Sequence, residues 1–122
     1  RRMAKDLRIS LLLDFYGDML TEKQRDVVEL YYNEDLSLAE IAAHSQITRQ
    51  GVRDSIKRAE GILLDLEERL GLAKKFRQIQ DGLDEMAACA RQIQAFNARH
   101  GNFQEVSAPA ARIGELAGKL ND

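Results

Sequence analysis

Apolar residues recur along this chain at intervals of three and four, and polar residues fill most positions between them. Between residues 5 and 19, for example, Leu7, Leu11 and Phe15 fall within one helical stripe. This spacing matches the turn of an α-helix, and no segment makes a convincing strand. The pattern therefore predicts an all-α fold.

Three segments carry residues that begin a helix. The sequences "TEKQ" at 21–24 and "SLAE" at 37–40 both have the form of a capping box, in which two side chains satisfy each other's backbone N–H groups. The helix that "SLAE" opens should end near His44 or Ser45, and Thr48 offers another N-cap oxygen directly afterwards. The chain is thus predicted to turn and restart within about three residues, as a helix-turn-helix does.

The residues around this turn suit a helix-turn-helix, with two departures. Ala42 is small where the two helices approach, and Ile47 and Val52 are apolar on either side of the turn. Gln46 occupies the tight-turn position often held by Gly. A Gln residue tolerates the left-handed backbone of that position poorly. Ser45 stands where an apolar residue would improve the packing.

Two long apolar seams follow the turn. The first has residues spaced alternately by four and three: Val52, Ile56, Ala59, Leu63, Leu66 and Leu70. Gly71 interrupts it, and the second seam has the same kind of spacing: Phe76, Ile79, Leu83, Met86, Ala90 and Ile93. Seams of this length predict either a hairpin of helices or a pair of dimerising arms.

These elements divide the chain into two predicted parts. Residues 1–60 form the helix-turn-helix module, whose second helix continues to about residue 70, and residues 61–122 form a C-terminal helical arm with a terminal helix. In the arm, "HGNFQEVSAP" at 100–109 is predicted to be a loop, and Ser107 with Pro109 to open the last helix. Because the seams hold more apolar side chains than one small three-helix unit can cover, we expect a homodimer.

Charge adds a local signal to a neutral background. The 122 residues include 18 Lys and Arg against 20 Asp and Glu, a net charge of −2, whereas a dedicated nucleic-acid binder often has a basic excess. Residues 48–58 nevertheless hold four cations against Asp54 alone, a local excess of three. The second helix of the motif is therefore basic although the protein is not.

Composition argues against several other classes. Apolar runs such as "ISLLL" at 9–13 are far shorter than the roughly 20 residues that cross a bilayer, and no segment has signal-peptide order, so we expect a cytoplasmic protein with no membrane partner. A single cysteine, Cys89, allows neither an internal disulfide nor a thiolate metal cluster. His44 and His100 are far apart and no Gly-rich phosphate loop follows a strand, so neither catalysis nor a cofactor or metal site is predicted.

Several stretches of the sequence resemble a known family. The pieces "LLLDFYG", "LTEKQR", "ELYY" and "LSLAEIA" look like the YlxM family of small bacterial helix-turn-helix proteins, whose front part is similar to region 4 of sigma factors. The resemblance covers roughly residues 7–76, and "ITRQGV" at 47–52 departs from the family pattern Ile-Ser-Arg-Gln-Ala-Val at Gly51. The resemblance implies a sigma region 4-like module. Because such genes typically neighbour those for the signal recognition particle GTPase and its receptor, it also implies a role in protein targeting.

Two functional hypotheses remain. In the first, the protein is a regulator that binds duplex DNA, and its candidate nucleic-acid-binding residues are Thr48, Arg49, Gln50, Arg53, Lys57 and Arg58. The Arg and Gln side chains of the leading turns would bond base edges, and the others would bind phosphates. In the second, the protein is a docking adaptor that keeps the helix-turn-helix shape without reading DNA and binds signal recognition particle components. The acidic residues Asp81, Asp84 and Glu85 of the arm would repel phosphate and favour a protein partner there.

Overall fold

The computed structural model describes residues 5–122, and residues 1–4 of the predicted 1–60 module lie outside this range. The described chain contains six α-helices and a short 3₁₀ turn, Gly17–Met19, and it contains no strand. The helices are α1 Arg8–Tyr16, α2 Glu22–Tyr32, α3 Leu38–Ser45, α4 Arg49–Leu70, α5 Leu72–Arg99 and α6 Gln104–Leu120. The prediction of an all-α fold is confirmed.

Capping boxes begin α2 and α3, as the sequence predicts. The Thr21 hydroxyl accepts from the Gln24 N–H at 3.2 Å, and the Gln24 side chain accepts from the Thr21 N–H at 3.0 Å. Ser37 and Glu40 make the same pair of bonds at 3.1 and 2.9 Å. Each box satisfies two backbone donors that a helix start would otherwise leave without partners.

Contacts divide the chain into two compact units, one ending at Lys74 and the other formed by Lys75–Asp122. In the first unit α4 is the central helix and packs against α1, α2 and α3. Its buried residues are Val52, Ile56, Ala59 and Leu63, the first four members of the first apolar seam. This part of the seam is therefore covered within the chain.

A hydrogen-bonded junction joins the end of α4 to the start of α5. The chain turns at Gly71, whose φ of 64° is the left-handed conformation that Gly adopts without strain. The buried Tyr16 hydroxyl donates to Glu67 Oε1 at 2.7 Å and accepts from the Leu72 N–H at 3.0 Å. Glu67 also accepts from the next two backbone N–H groups, at 3.1 and 3.0 Å. The bond from Tyr16 lowers the pKa of Glu67, and burial raises the pKa of Tyr16.

In the second unit α5 and α6 form an antiparallel hairpin that turns between residues 99 and 104. The hairpin predicted from the two apolar seams would instead turn at Gly71, between α4 and α5, and it stays a prediction. Near the turn the Gln94 side chain donates to the Ser107 carbonyl at 3.4 Å, and at the far end Asn121 donates to Asp84 at 2.7 Å. The buried residues of the hairpin are Ala90, Asn97, Ala110 and Ala117.

The predicted loop at 100–109 is confirmed for residues 100–103 and wrong from residue 104 on, because α6 begins at Gln104 and includes both Ser107 and Pro109. The start of α6 is fixed by Asn97, which is only 5% exposed. Its amide donates to the Phe103 carbonyl and accepts from the Phe103 N–H, each at 2.9 Å. This pair of hydrogen bonds ends the turn before residue 104. Pro109 then costs the helix one backbone hydrogen bond and does not determine where it begins.

Candidate nucleic-acid interface

The corner between α3 and α4 is a left-handed C-terminal turn followed by a capped helix. Gln46 has φ 58° and ψ 40°, the left-handed conformation, and its N–H bonds the Ala42 carbonyl. The Ile47 N–H bonds the same carbonyl at 3.2 Å, so the last turn of α3 is closed by two bonds to Ala42. The Thr48 hydroxyl then accepts from the Gly51 N–H at 2.9 Å and begins α4. The predicted helix-turn-helix restart is therefore present, and Gln46 adopts the backbone that Gly usually supplies.

Apolar contacts fix the angle of this corner. Ile41, Val52 and Ile56 have no exposed surface and belong to one hydrophobic cluster with Ala42. Ile47, the residue after the left-handed position, packs against the same cluster. Because this side of α4 is buried, its remaining surface is presented to solvent.

The exposed surface of α4 carries all four candidate cations. Arg49, Arg53 and Lys57 are four residues apart, so they follow one side of the helix, one turn after another. Arg53 is half-buried, and Arg49, Lys57 and Arg58 are exposed. Within residues 5–122 none of the four has a hydrogen-bond or ion-pair partner, in contrast to Arg25, which binds Asp18 and Glu29. The charges of these cations are therefore available to a ligand.

A groove separates α4 from the start of α2. It has a volume of about 670 Å³ and takes in Lys57 and Arg58 from α4, with Lys23 and Gln24 from α2. Arg49, Gln50 and Arg53 are not among its lining residues. The structure thus brings two of the candidate cations into a groove with Lys23, a third cation that lies outside the basic stretch of the sequence.

Asp54 stands on the same exposed surface as the cations. The Gln50 amide donates to Asp54 Oδ1 at 2.9 Å, so the candidate base-reading amide already has an internal partner. An exposed carboxylate repels phosphate, but it can accept a hydrogen bond from the amino group of cytosine. The four-residue spacing of Gln50 and Asp54 on a helix is the sequence signal that could have revealed this pair.

Thr48 contributes to the site through the backbone. Its hydroxyl oxygen accepts from the Gly51 N–H and so begins the helix, while its O–H hydrogen is still able to donate to a phosphate. A side chain added at Gly51 would place its Cβ 3.1 Å from the Thr48 oxygen, which is a tight contact. Gly51, the departure from the family pattern, therefore sits directly beneath the cap.

Residues 5–122 form neither a cluster of metal ligands nor a membrane-spanning helix. Between residues 5 and 122 no three His, Cys, Asp or Glu side chains are grouped so that they could hold a metal ion. His100 stacks on Phe96 with ring centroids 4.0 Å apart, and its Nδ1 is 2.9 Å from the Phe96 carbonyl. None of the described helices is both long enough and apolar enough to cross a membrane.

A packed corner, a capped second helix and a basic exposed surface define a helix-turn-helix protein. The chain belongs to the UPF0122 family, whose model, described as "Putative helix-turn-helix protein, YlxM / p13 like", matches residues 3–100. This result confirms the resemblance to YlxM proteins.

Curated relatives carry the same family name. A UPF0122 protein of Clostridium kluyveri is 51% identical over 79 residues, which are 65% of this chain and 71% of the relative. One of Desulforamulus reducens is 53% identical over 79 residues, 65% of this chain and 68% of the relative. One of Thermoanaerobacter sp. is 50% identical over 80 residues, 66% of this chain and 68% of the relative.

Proposed function

We propose that this protein is a regulator that binds duplex DNA through the exposed surface of α4. The observation that carries the proposal is the set of four cations without internal partners on the second helix of a packed helix-turn-helix. Cations of this kind release counterions when they neutralise phosphates, and the release drives association. A helix presented in this way has the shape that enters a major groove.

The six candidate residues have separate roles in this proposal. Arg49 and Arg53 contact guanine edges, and Gln50 turns from Asp54 to an adenine edge. Lys57 and Arg58, with Lys23 across the groove, bind phosphates. The first N–H groups of α4, which Thr48 positions, face a further phosphate.

A role in protein targeting is a further part of this proposal. We propose that the protein is an accessory factor of the signal recognition particle pathway, and that it therefore acts in the cytoplasm. Support comes from the gene neighbourhood that the YlxM resemblance implies.

A docking adaptor is the second candidate. The observation that favours it is Asp54, a carboxylate on the same surface as Arg53 and Lys57, in a chain whose net charge is −2. A mixed surface of this kind suits a protein partner, because complementary charges of both signs give specificity. In that case the helix-turn-helix retains its shape and binds a component of the signal recognition particle.

Affinity for duplex DNA at low salt distinguishes the two candidates. The wild type should bind with a slope of log affinity against log salt of about −3 to −4, from four or so phosphate contacts per subunit. Lys57→Ala should reduce this slope by about one. Arg49→Ala or Gln50→Ala should weaken binding to the preferred sequence by about 1 to 3 kcal/mol for each lost bidentate contact.

The decisive comparison uses two triple alanine variants that remove the same charge. One replaces Arg49, Arg53 and Lys57, and the matched control replaces three exposed cations of the hairpin, Arg91, Arg99 and Lys119. Only the first should lose affinity. Equal DNA affinity for the wild type and the first variant, or no binding by either, would reject the α4 interface. The same variants should then be tested for binding to purified signal recognition particle.

A further inference from the structure

The hairpin of α5 and α6 exposes a continuous apolar surface. We call it the hairpin face and define it by six side chains that are between 36% and 59% exposed: Met86, Ile93, Phe96, Phe103, Val106 and Ile113. Two adjoining grooves of about 530 and 380 Å³ run along it and share Cys89 and Ile93. Both helices therefore contribute to one surface.

The spacing of this surface is that of helices that pack against other helices. On α5, Ile79, Met86 and Ile93 are exposed at intervals of seven residues, and on α6 so are Val106, Ile113 and Leu120. Seven-residue repeats on two neighbouring helices are the pattern of a four-helix bundle, in which two further helices complete the core. The hairpin supplies two of these four helices.

The hairpin has little apolar core of its own. In the described part of the chain, both hydrophobic clusters consist of residues between 9 and 73. From residue 75 on, the buried residues of the hairpin are three alanines and Asn97, which remove little apolar surface from water. Because most helical stability in proteins comes from packing an apolar side, two helices with so little buried surface need a further partner.

The chemistry of the hairpin face excludes nucleic acid as that partner. No Lys or Arg lines either groove, and Glu85 is the only carboxylate among the lining residues. Phosphates would find no Lys or Arg there, whereas an apolar helical surface would meet few buried charges.

We propose that the hairpin face is covered by the hairpin face of a second copy of this chain, which completes a four-helix bundle. The 17 residues of α6 extend for about 25 Å, and two helices side by side are about 20 Å wide. Such a surface, interdigitated with its copy, approaches the ~800 Å² per partner of a stable interface. A second copy carries a matching surface with the same repeat, as a twofold dimer requires.

Sedimentation and thiol chemistry test this dimer. The wild type should sediment at twice its 13.8 kDa mass at micromolar concentrations. Ile93→Glu should sediment as a monomer, because it places a charge in the centre of the face. Ala95→Glu adds the same charge two residues away at another exposed position, away from both grooves, and should remain a dimer.

Cys89, the only cysteine, provides a measurement that needs no substitution in the face. It is exposed in the single chain and lines both grooves, so dimerisation should cover it. Its reaction with a thiol reagent should slow by about tenfold or more between dilute and concentrated protein, as dimer forms by mass action. This readout decides the matter if Ile93→Glu fails to fold. A wild type that stays monomeric, a dimer that survives Ile93→Glu, or a dimer with freely reactive Cys89 would each overturn the proposal.

Discussion

Replacing Gln46 by Gly should stabilise the protein, because Gln46 holds a left-handed backbone at the helix-turn-helix corner. For a residue with a Cβ this conformation costs about 1 to 2 kcal/mol, and Gly avoids the cost. Gly also makes the unfolded chain more flexible, which offsets about 0.4 to 1 kcal/mol of the gain. The Gln46 side chain is exposed, so little packing is lost. We expect a net gain of about 0.5 to 1 kcal/mol in the free energy of unfolding.

Denaturant unfolding followed by circular dichroism measures this gain, and a rise in the melting temperature of roughly 2 to 6 °C should accompany it. Gln46→Ala is the matched control, since it removes the polar group but keeps the Cβ. Its stability should stay within about 0.5 kcal/mol of the wild type. If Gln46→Gly were no more stable than Gln46→Ala, the left-handed backbone would not be a source of strain, and the reasoning would fail.

Three further predictions concern the core, the α4–α5 junction and the hairpin turn. In denaturant melts, Val52→Ala should cost about 1 to 3 kcal/mol in stability because Val52 is fully buried. Arg49→Ala should change stability by no more than about 0.5 kcal/mol. If the Arg49 variant unfolded, Arg49 would be a structural residue. The hydrogen bond from Tyr16 lowers the pKa of Glu67 from 4.5, so the stability that the ionised carboxylate gives the protein is complete above that pH and is lost as the pH falls through the lowered pKa. Melts at several acidic pH values should therefore show that Glu67→Gln loses less stability than the wild type as the pH falls. A pH profile equal to that of the wild type would contradict this role. Asn97→Ala should cost about 1 to 3 kcal/mol in stability, because it leaves the backbone groups of Phe103 without partners. Asn97→Asp keeps the acceptor and should have an intermediate stability. Equal melting of the two variants would show that the hydrogen bonds of Asn97 do not hold the turn.

The parts of the fold that were predictable depend on local sequence. A capping box needs two residues three positions apart, and both boxes, at Thr21 and Ser37, form as expected. The start of α6 was missed because its determinant, Asn97, acts across a turn on a residue six positions away. Nothing in the local propensity of 97–103 distinguishes Asn97 from an ordinary surface Asn, so the sequence indicates Ser107 and Pro109 as the helix start instead.

The candidate site was predictable in composition more than in arrangement. The period of α4 identifies which of its residues avoid the core, including Arg49 and Lys57. It does not reveal that Lys57 lies in a groove with Lys23 of α2, because that contact depends on how two helices pack. The bond between Gln50 and Asp54 could have been anticipated from their spacing, but a single acidic residue in a basic stretch carries little weight in a count of charges.

In evolutionary terms, α4 separates two sets of positions that can change independently. Neighbouring residues such as Val52 and Arg53 are under different physical constraints, because the first fills the core and the second is partly exposed to solvent. Substitutions at the solvent positions can alter what the helix binds at little cost in stability, whereas the core positions are restricted to apolar residues of similar volume. A helix of this kind allows a lineage to acquire new binding partners by single mutations while its fold remains constant.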